Sequence, residues 1–295
     1  MYPSKFNYID AESVDDAVAA LKTHDHAELI AGGQSLVQLQ KKRARSPDQL
    51  IDINGIEELT RISETDSTVD IGALARHSEV AESTLISENT YLFSECAGQI
   101  ADAVVRNQGT FGGATALADP NADYLPVLKA VNPDLELVGP DGKRTVSFDE
   151  FYLEGFTVDI ADDELITKGC VPKLTTITPK ETAAVGSTYR KHSERSSDYA
   201  TVGVAAVVAV DTTGVVVETK LSIGSVGPLE RPTDAETAIE GTTLTADALS
   251  EASTIAKETV TPKAADPEGA YKKAMAGEFT EKALQTAYER ATEQL

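Results

Sequence analysis

Two pairs of adjacent glycines are the residues whose type and spacing could bind a phosphate group. They lie in the segments Ala31-Gly32-Gly33-Gln34-Ser35 and Thr110-Phe111-Gly112-Gly113-Ala114. Glycine accepts positive φ values and lets a ligand approach the backbone closely, so successive N–H groups can point at one phosphate oxygen. Two such segments would suit a pyrophosphate that is held from two sides. A tight turn is the better explanation for either pair alone, and neither pair matches the GxGxxG or Walker patterns of the common nucleotide-binding folds.

Few other residues have the type and spacing of metal-binding or catalytic groups. The two cysteines, Cys96 and Cys170, and the four histidines occur in none of the spacings that bind metals or iron–sulfur clusters. No set of Ser, His and Asp residues and no pair of carboxylates stands out as catalytic. The sequence therefore predicts no metal site and no catalytic side chain.

The charge balance excludes two classes of partner. The chain has 48 acidic and 26 basic residues, a net charge of −22, and such a surface repels nucleic acids and anionic membranes. The acidic residues are spread along the whole chain, which favours a halophilic protein over an acidic mesophilic one. No apolar run approaches the ~18 residues that span a bilayer, and residues 1–6 lack the apolar stretch of a signal peptide, so we expect a cytoplasmic protein.

The first glycine pair is predicted to lie between a strand and a helix. Ser13 begins a leading helix with a capping-box pattern, and a strand at 28–31, a helix at 35–42 and a strand at 49–53 follow it. This β-α-β order after a leading helix predicts a small α+β lobe. The dipole of the second helix would attract an anion to the glycine pair.

The second glycine pair is predicted to lie in a longer loop of a second lobe. Hydrophobic patterns and turn residues place the other elements of this lobe as a strand at 68–74, a helix at 91–100, a glycine-rich loop at 109–113 and a hairpin of strands 134–138 and 143–146. A segment poor in large apolar residues, 175–184, marks a domain boundary. Beyond it we predict strands at 202–210 and 215–226, joined by a hairpin turn, and then helices at 235–239, 246–259 and 281–294.

Four blocks of sequence, in order and over nearly the full chain, resemble the FAD-binding medium subunits of molybdenum hydroxylases such as carbon monoxide and xanthine dehydrogenases. One such block would be a weak sign, but four in the family's order are specific. The blocks are residues 31–36 with 50–53, residues 71–77, residues 105–113 with 118–123, and residues 198–205.

The resemblance implies an α+β fold. A two-lobed FAD-binding domain of the vanillyl-alcohol-oxidase/PCMH type would span residues 1–176, with lobes of about 1–56 and 57–176. A C-terminal α+β domain with strands before helices would span residues 180–295. FAD would lie extended between the two lobes, with residues 31–35 and 110–114 around its pyrophosphate.

Four further residues match positions that the family places near FAD, and each has a simpler explanation. Asp123 would lie near the ribose and adenine, or it would cap a helix over 124–130. Ile100 would lie near the adenine, or only pack in the core. Tyr199 would lie close to the isoalloxazine ring, or be a core or interface residue. Lys191 would lie near the flavin, or be a solvated side chain in a charged segment.

Departures from the family's pattern leave the glycines intact. Ala101-Asp102-Ala103 replaces the more usual Gly-Asp-Pro, and Ala114 stands where xanthine dehydrogenases often have Asn. Gln34 occupies the position of the histidine that binds FAD covalently in related oxidases, so the resemblance implies noncovalent FAD. Two cysteines exclude the extra four-cysteine cluster of the 4-hydroxybenzoyl-CoA reductases.

The resemblance also implies partners. Such a chain would assemble with a molybdopterin-binding large subunit and an iron–sulfur small subunit, in a dimer of heterotrimers, and its FAD would pass electrons from the clusters to an acceptor. Two alternatives stay open. The chain could be a self-contained FAD-dependent oxidoreductase with a substrate pocket in its C-terminal domain, or a non-enzymatic scaffold that keeps the fold without flavin.

Overall fold

The first part of the chain forms a small parallel sheet, here called the N-terminal sheet. The computed structural model describes residues 2–295, and its first elements are β1 (Asn7–Asp10), α1 (Val14–Thr23), β2 (Ala27–Ile30), α2 (Leu36–Lys41) and β3 (Gln49–Asp52). The strand order is β1-β3-β2. Ser13 caps α1 as predicted, because its hydroxyl accepts a hydrogen bond from the Asp16 N–H at 3.1 Å. Ala17 and Val18 of α1 are buried in one core cluster with Ile51 of β3, so the predicted β-α-β lobe is present.

The prediction that a helix leads this lobe is wrong, because β1 precedes α1. Within β1 only Ile9 is even partly buried, so the four residues carry no apolar alternation that would indicate a strand. The strand forms because its backbone pairs in parallel with β3, from Asn7 opposite Gln49 to Asp10 opposite Asp52. Such backbone hydrogen bonds do not depend on side-chain type, and a pattern of side chains therefore does not reveal them.

A second sheet, the middle sheet, is antiparallel. Its strands are β4 (Ile62–Glu64), β5 (Thr68–Gly72), β6 (Asp134–Gly139), β7 (Gly142–Ser147) and β10 (Leu165–Pro172), in the order β4-β5-β10-β6-β7. The predicted hairpin of β6 and β7 is confirmed, and the pair Gly139–Gly142 closes its turn. A short hairpin of β8 (Tyr152–Glu154) and β9 (Thr157–Val158) lies between β7 and β10 in the chain.

Helices cover the middle sheet. They are α3 (His77–Glu82), α4 (Thr84–Asn89), α5 (Tyr91–Gln99), α6 (Ala103–Arg106), α7 (Phe111–Leu117), α8 (Tyr124–Val131) and α9 (Phe148–Phe151). Residues 110–114, predicted to lie in a loop, instead begin α7. The Thr110 hydroxyl caps this helix by accepting a hydrogen bond from the Gly113 N–H at 3.1 Å. Paired glycines disfavour a helix by themselves, but the fully buried Phe111 anchors this one in the core.

The last part of the chain forms a third sheet, the C-terminal sheet, with three helices. Its elements are β11 (Ala184–His192), β12 (Val202–Val210), β13 (Val216–Gly224), α10 (Thr233–Ile239), α11 (Ala246–Thr259) and α12 (Gly269–Thr292), and the sheet is antiparallel in the order β11-β12-β13. The strands-then-helices order is confirmed. Strand β11, whose residues are largely polar, was not predicted from the sequence, and α12 starts at Gly269 rather than at the predicted residue 281.

Strand β12 shows how the C-terminal sheet joins the rest of the protein. All nine of its residues are buried. Val204 and Val208, like the other even-numbered residues, belong to the core cluster under α11 and α12. Ala205 and Val207 belong to the core cluster of the middle sheet. Since neighbouring strand residues point to opposite faces, the C-terminal sheet is packed between its own helices and the helices of the middle sheet.

Residues 2–295 include neither a membrane-spanning helix nor a cluster of metal ligands. None of the helices combines the length and the apolar character needed to cross a membrane. No three side chains of His, Cys, Asp or Glu come together as metal ligands would.

Candidate functional site

The two glycine segments face each other across one cleft. The cleft has a volume of about 300 Å³ and is lined by residues 31–35 of the first segment and by Thr110, Gly112, Gly113 and Ala114 of the second. A Cβ atom added at Gly113 would lie 3.9 Å from Cβ of Ala31. The structure therefore brings together two segments that are more than 70 residues apart in the sequence.

Close packing explains two of the four glycines. A Cβ atom added at Gly32 would lie 2.1 Å from the carbonyl oxygen of Gln108, and one added at Gly112 would lie within 2.8 Å of the Ala73 backbone. Gly33 has a φ of +66°, a conformation that favours glycine. At Gly113, which is exposed to the cleft, an added Cβ would meet only the Thr110 hydroxyl within 3 Å. The missing side chain of Gly113 thus keeps the cleft open for a ligand.

The two segments differ in the hydrogen-bond donors that they offer. Within residues 2–295 no group accepts a hydrogen bond from the N–H groups of residues 32–35. In the second segment the N–H groups of Phe111 and Gly112 donate to the carbonyl oxygens of Ala75 and Ala73, and that of Gly113 donates to Thr110. Successive backbone N–H groups that have no acceptor in the protein can bind an anion. The first segment is therefore the donor side of the cleft, and the second is chiefly its opposite wall.

Arg76 and Asn54 connect the two segments, and the sequence analysis assigned neither a role. The Asn54 side-chain amide donates to the carbonyl oxygen of Ala31 at 2.8 Å. The Arg76 guanidinium donates to Oδ1 of Asn54 at 2.7 Å and to the carbonyl oxygen of Gln108 at 2.6 Å. Both acceptors of the guanidinium are neutral groups, and the charge of Arg76 also interacts with the carboxylate of Asp52. Arg76 lies inside residues 71–77, one of the blocks that resemble the family, and this is the signal that could have drawn attention to it.

His77 lies below the second segment and is 5% exposed. Its ring centroid lies 5.4 Å from that of Tyr124, and its Nδ1 atom is buried without a hydrogen-bond partner among residues 2–295. Burial, followed by the positive charges of Arg76 and Arg106, lowers the pKa of His77 from 6.5 to about 4. The imidazole is therefore neutral at pH 7.

We expect His77 to make the fold sensitive to mild acid. Because the folded-state pKa lies below the unfolded value, its contribution to stability is fully present above pH 6.5 and is lost as the pH falls towards about 4. The shift corresponds to about 3 kcal/mol in the free energy of unfolding. Urea denaturation at several pH values should show a flatter pH dependence for His77→Gln. His24→Gln, a change at an exposed histidine, should keep the slope of the unmodified protein; equal slopes in all three proteins would contradict the assignment.

The other site residues of the sequence analysis form a second group outside the cleft. The Asp123 and Lys191 side chains are 5% and 4% exposed and form an ion pair of 3.0 Å between Oδ2 and Nζ. The Tyr189 hydroxyl donates to Oδ1 of Asp123 at 2.7 Å. Lys191 is therefore not a solvated side chain, and that alternative is wrong. Asp123 occupies the N-cap position of α8, but its side chain makes no capping hydrogen bond.

Ile100, Phe111 and Tyr199 have three different environments. Ile100 follows α5 and packs, partly buried, against the core of the middle sheet. The Phe111 side chain is turned into the same core, with its ring centroid 5.6 Å from that of Tyr124, so only its backbone adjoins the cleft. Tyr199 is 60% exposed and is not a core residue. Partial burial and then the negative charges of Asp119 and Asp123 raise the pKa of the Tyr199 phenol, so Tyr199 lies near Asp123.

This second group corrects one expectation taken from the resemblance. Asp123 and Ile100 were expected near the adenine part of an extended FAD, Tyr199 close to the isoalloxazine ring and Lys191 near the flavin. The Lys191 ammonium instead donates both to Asp123 and, at 3.1 Å, to the carbonyl oxygen of Gln99, the residue before Ile100. Asp123 and Lys191 therefore lie at one place, and these two residues cannot mark opposite ends of one extended ligand.

Comparisons with known proteins agree with the fold. Residues 4–174 match the family model described as the FAD-binding domain in molybdopterin dehydrogenase. Residues 187–287 match the CO dehydrogenase flavoprotein C-terminal domain.

Individual relatives match over most of their length. The chain is 35% identical to the carbon monoxide dehydrogenase medium chain of Hydrogenophaga pseudoflava, over 98% of this chain and 99% of that one. It is 36% identical to the glyceraldehyde dehydrogenase medium chain of Sulfolobus acidocaldarius, over 70% and 71%. The solved carbon monoxide dehydrogenase from Hydrogenophaga pseudoflava superposes with a TM-score of 0.90 at 36% identity, over 99% of this chain and 100% of that chain.

Proposed function

This chain belongs to the family of FAD-binding medium subunits of molybdenum hydroxylases, and on that premise we propose that it holds FAD noncovalently and passes electrons from the iron–sulfur clusters of a partner subunit to an external acceptor. The proposal that the chain binds FAD rests on the row of free N–H groups at residues 32–35, which lie opposite the open face of Gly113. FAD supplies the electron-carrying ring, and the protein positions that ring and adjusts its surroundings.

The residues of the cleft would bind the pyrophosphate. The N–H groups of residues 32–35 would donate to its oxygens, and the charge of Arg76 would attract it from behind the first segment. Thr110, Gly112, Gly113 and Ala114 would form the opposite wall. Gln34 carries an amide, which is not a nucleophile, and this supports noncovalent attachment.

The second group of residues would lie at the isoalloxazine end. Tyr199 presents an exposed aromatic ring there, and Ile100 adds apolar surface. An aromatic side chain beside a flavin can stack on it or contact its edge. Asp123 and Lys191 would lie behind Tyr199.

The partners and the context belong to the same proposal. The relatives are named as medium chains or complex subunits, which supports the presence of partner subunits. We propose that these are a molybdopterin-binding large subunit and an iron–sulfur small subunit, in a dimer of heterotrimers. We keep the domain bounds of 1–176 and 180–295 and a cytoplasmic location as predictions. A self-contained FAD-dependent oxidoreductase remains the alternative.

One experiment separates the proposal from that alternative. The purified chain should be yellow, and acid precipitation should release the flavin into the supernatant. With an artificial electron acceptor, the chain alone should oxidise neither carbon monoxide nor a purine nor an aldehyde, and turnover should require the two partner subunits. Turnover by the single chain would overturn the electron-transfer role, and flavin retained in the precipitate would overturn noncovalent binding.

We also propose a halophilic origin, because 48 acidic residues oppose 26 basic ones. The Debye length falls from about 30 Å at 0.01 M salt to about 3 Å at 1 M, so salt removes the self-repulsion of the acidic surface. The melting temperature should therefore rise steeply between 0.01 M and 1 M KCl. A melting temperature that does not change with KCl would contradict the halophilic origin.

A further inference from the structure

The direction of the Gly32 N–H is set by a hydrogen bond to the carbonyl group that precedes it. The Asn54 side-chain amide donates to the carbonyl oxygen of Ala31 at 2.8 Å. Residues 2–295 contain no cis peptide bond, and in a planar trans peptide the N–H points opposite to the C=O. Ala31 and Gly32 line the cleft, whereas Asn54 is not among the residues that line it. The Asn54 amide therefore holds the Ala31 carbonyl away from the cleft and turns the Gly32 N–H towards it.

The next two peptide groups are oriented by residues close to them in the sequence. The exposed Gln34 amide donates to the carbonyl oxygen of Gly32 at 3.2 Å. The Val37 N–H, in the first turn of α2, donates to that of Gly33 at 3.1 Å. Of these three carbonyl groups, only that of Ala31 is held by a residue from another part of the chain, 23 positions away.

Asn54 is itself held in one orientation by a carboxylate and a guanidinium. Its NH₂ group donates to Oδ1 of Asp52 at 2.7 Å, and its Oδ1 accepts from Arg76 at 2.7 Å. The Tyr8 hydroxyl donates to the other carboxylate oxygen of Asp52 at 2.7 Å. A reversed amide would place its NH₂ group against the guanidinium and its oxygen against the carboxylate. The favourable arrangement is therefore the one in which the NH₂ group also reaches Ala31.

Arg76 connects this arrangement to the second glycine segment. Its backbone forms an isolated bridge with Thr110, and its guanidinium donates to the carbonyl oxygen of Gln108 at 2.6 Å. The same oxygen would lie 2.1 Å from a Cβ atom added at Gly32. Gly32 thus packs against the opposite wall of the cleft at the place where Arg76 and Asn54 meet.

We propose that Asn54 is a positioning residue for the phosphate groups of the cofactor: by holding the Ala31 carbonyl it keeps the Gly32 N–H turned into the cleft before a ligand binds. The statement about the cofactor rests on the function proposed above, whereas the orientation of the peptide rests only on contacts within this chain. Without Asn54 the peptide can rotate, because glycine restricts the backbone little. The ligand would then have to order this peptide when it binds, at a cost in affinity.

Asn54→Ala and Asn89→Ala are a matched pair of variants. Each removes a half-buried amide that donates to a backbone carbonyl oxygen, which for Asn89 is that of Leu85 at 2.9 Å. Asn89 ends α4 and lies outside the cleft. If Asn54→Ala does not fold, Asn54→Asp serves instead, because it is isosteric and can still accept from Arg76 but cannot donate to Ala31.

The first measurement is ¹⁵N relaxation of the full-length, ligand-free protein. In Asn54→Ala the order parameter of the Gly32 N–H should fall from about 0.85, the value of a rigid backbone, to below about 0.6. It should stay unchanged in Asn89→Ala, and the amides of β2 and β3 should stay rigid in both variants. An unchanged Gly32 order parameter in Asn54→Ala, or in Asn54→Asp where it replaces it, would overturn the proposal whether or not the protein binds flavin. Loss of rigidity throughout β2 and β3 would show a general structural role and would overturn it as well.

The second measurement is FAD affinity together with hydrogen–deuterium exchange of the FAD-saturated protein, followed by NMR. In the unmodified protein FAD should slow the exchange of amides 32–35, because these N–H groups gain phosphate acceptors. In Asn54→Ala the affinity should fall about tenfold. The Gly32 amide should lose its protection, while amides 33 and 34, whose peptide groups are oriented locally, should keep theirs.

The other outcomes of this measurement are also decisive. Unchanged affinity in Asn54→Ala, or a lower affinity with full protection of the Gly32 amide, would overturn the positioning role. Failure of the unmodified protein to bind FAD would instead contradict the proposed function, and the order parameters would still decide whether Asn54 orients the Gly32 peptide.

Discussion

Replacing Gly113 with Asp is expected to abolish FAD binding while the protein stays folded. Gly113 is exposed to the cleft and is the third residue of α7, where an acidic side chain favours the helix dipole. The same carboxylate would face the pyrophosphate. Two unit charges 4 Å apart repel each other by about 4 kcal/mol at an effective dielectric constant of 20, so the affinity should fall at least about a hundredfold.

Two further variants separate the effect of the added charge from the effect of the added volume. Gly113→Ala adds the same Cβ atom, 2.8 Å from the Thr110 hydroxyl, without the charge, and it should lower FAD affinity much less than Gly113→Asp. Gly98→Asp adds the same charge at an exposed position of α5, where the nearest neighbour of the new Cβ is 3.9 Å away, and it should bind FAD normally. Titration of the apoprotein with FAD measures all three affinities. Normal affinity in Gly113→Asp would exclude this cleft as the pyrophosphate site.

Replacing Glu95 with Ala is expected to be the most destabilising of the changes considered. Glu95 of α5 accepts hydrogen bonds from Arg290 at 2.9 Å, from the Thr188 hydroxyl at 2.7 Å and from the Tyr189 N–H at 2.8 Å. Its side chain is 14% exposed. The change would leave two buried donors of β11 without an acceptor and Arg290 without a counter-charge. We expect a loss of about 2–4 kcal/mol in the free energy of unfolding.

The pH dependence and a surface pair provide the controls. Burial acts to raise the pKa of Glu95, but the hydrogen bonds from Arg290, Thr188 and Tyr189 outweigh it and lower that pKa. The stabilisation by Glu95 is therefore present at pH values above its ordinary pKa of 4.5 and is lost as the pH falls through the lower pKa of the folded state.

Glu278→Ala is the control: it breaks an exposed pair with Lys282 and should lower the free energy of unfolding by less than about 0.5 kcal/mol. Similar melting temperatures for Glu95→Ala and Glu278→Ala at pH 7 would contradict this role of Glu95.

Local sequence signals were sufficient for the parts of the fold that depend on neighbouring residues. The turn at 139–142 closes the hairpin of β6 and β7, Ser13 caps α1, and the β-branched run at 202–210 forms the buried β12. Each of these elements depends on residues only a few positions apart, so composition and spacing predict it.

Elements whose stability comes from distant partners were missed or misjudged. Strand β1 has no apolar pattern and depends on pairing with β3. Strand β11 is rich in polar residues, and distant carboxylates bind two of their side chains, Glu95 that of Thr188 and Asp123 that of Lys191. The glycines at 112 and 113 indicate a loop by their propensity, yet they lie in α7, which the buried Phe111 anchors in the core. The Ala73 backbone leaves no room for a side chain at Gly112.

The candidate site likewise has features that the sequence predicted and features that only the tertiary structure shows. The sequence by itself identified both glycine segments, because paired glycines are a local signal for close approach of a ligand to the backbone. Only the tertiary structure decided that the first segment carries the free N–H groups, that Arg76 and Asn54 join the two segments, and that Lys191 is buried against Asp123, 68 residues earlier in the chain. A lysine in a charged segment indicates a solvated side chain until a buried carboxylate is brought to it, and chain topology, which no local pattern encodes, brings that carboxylate there.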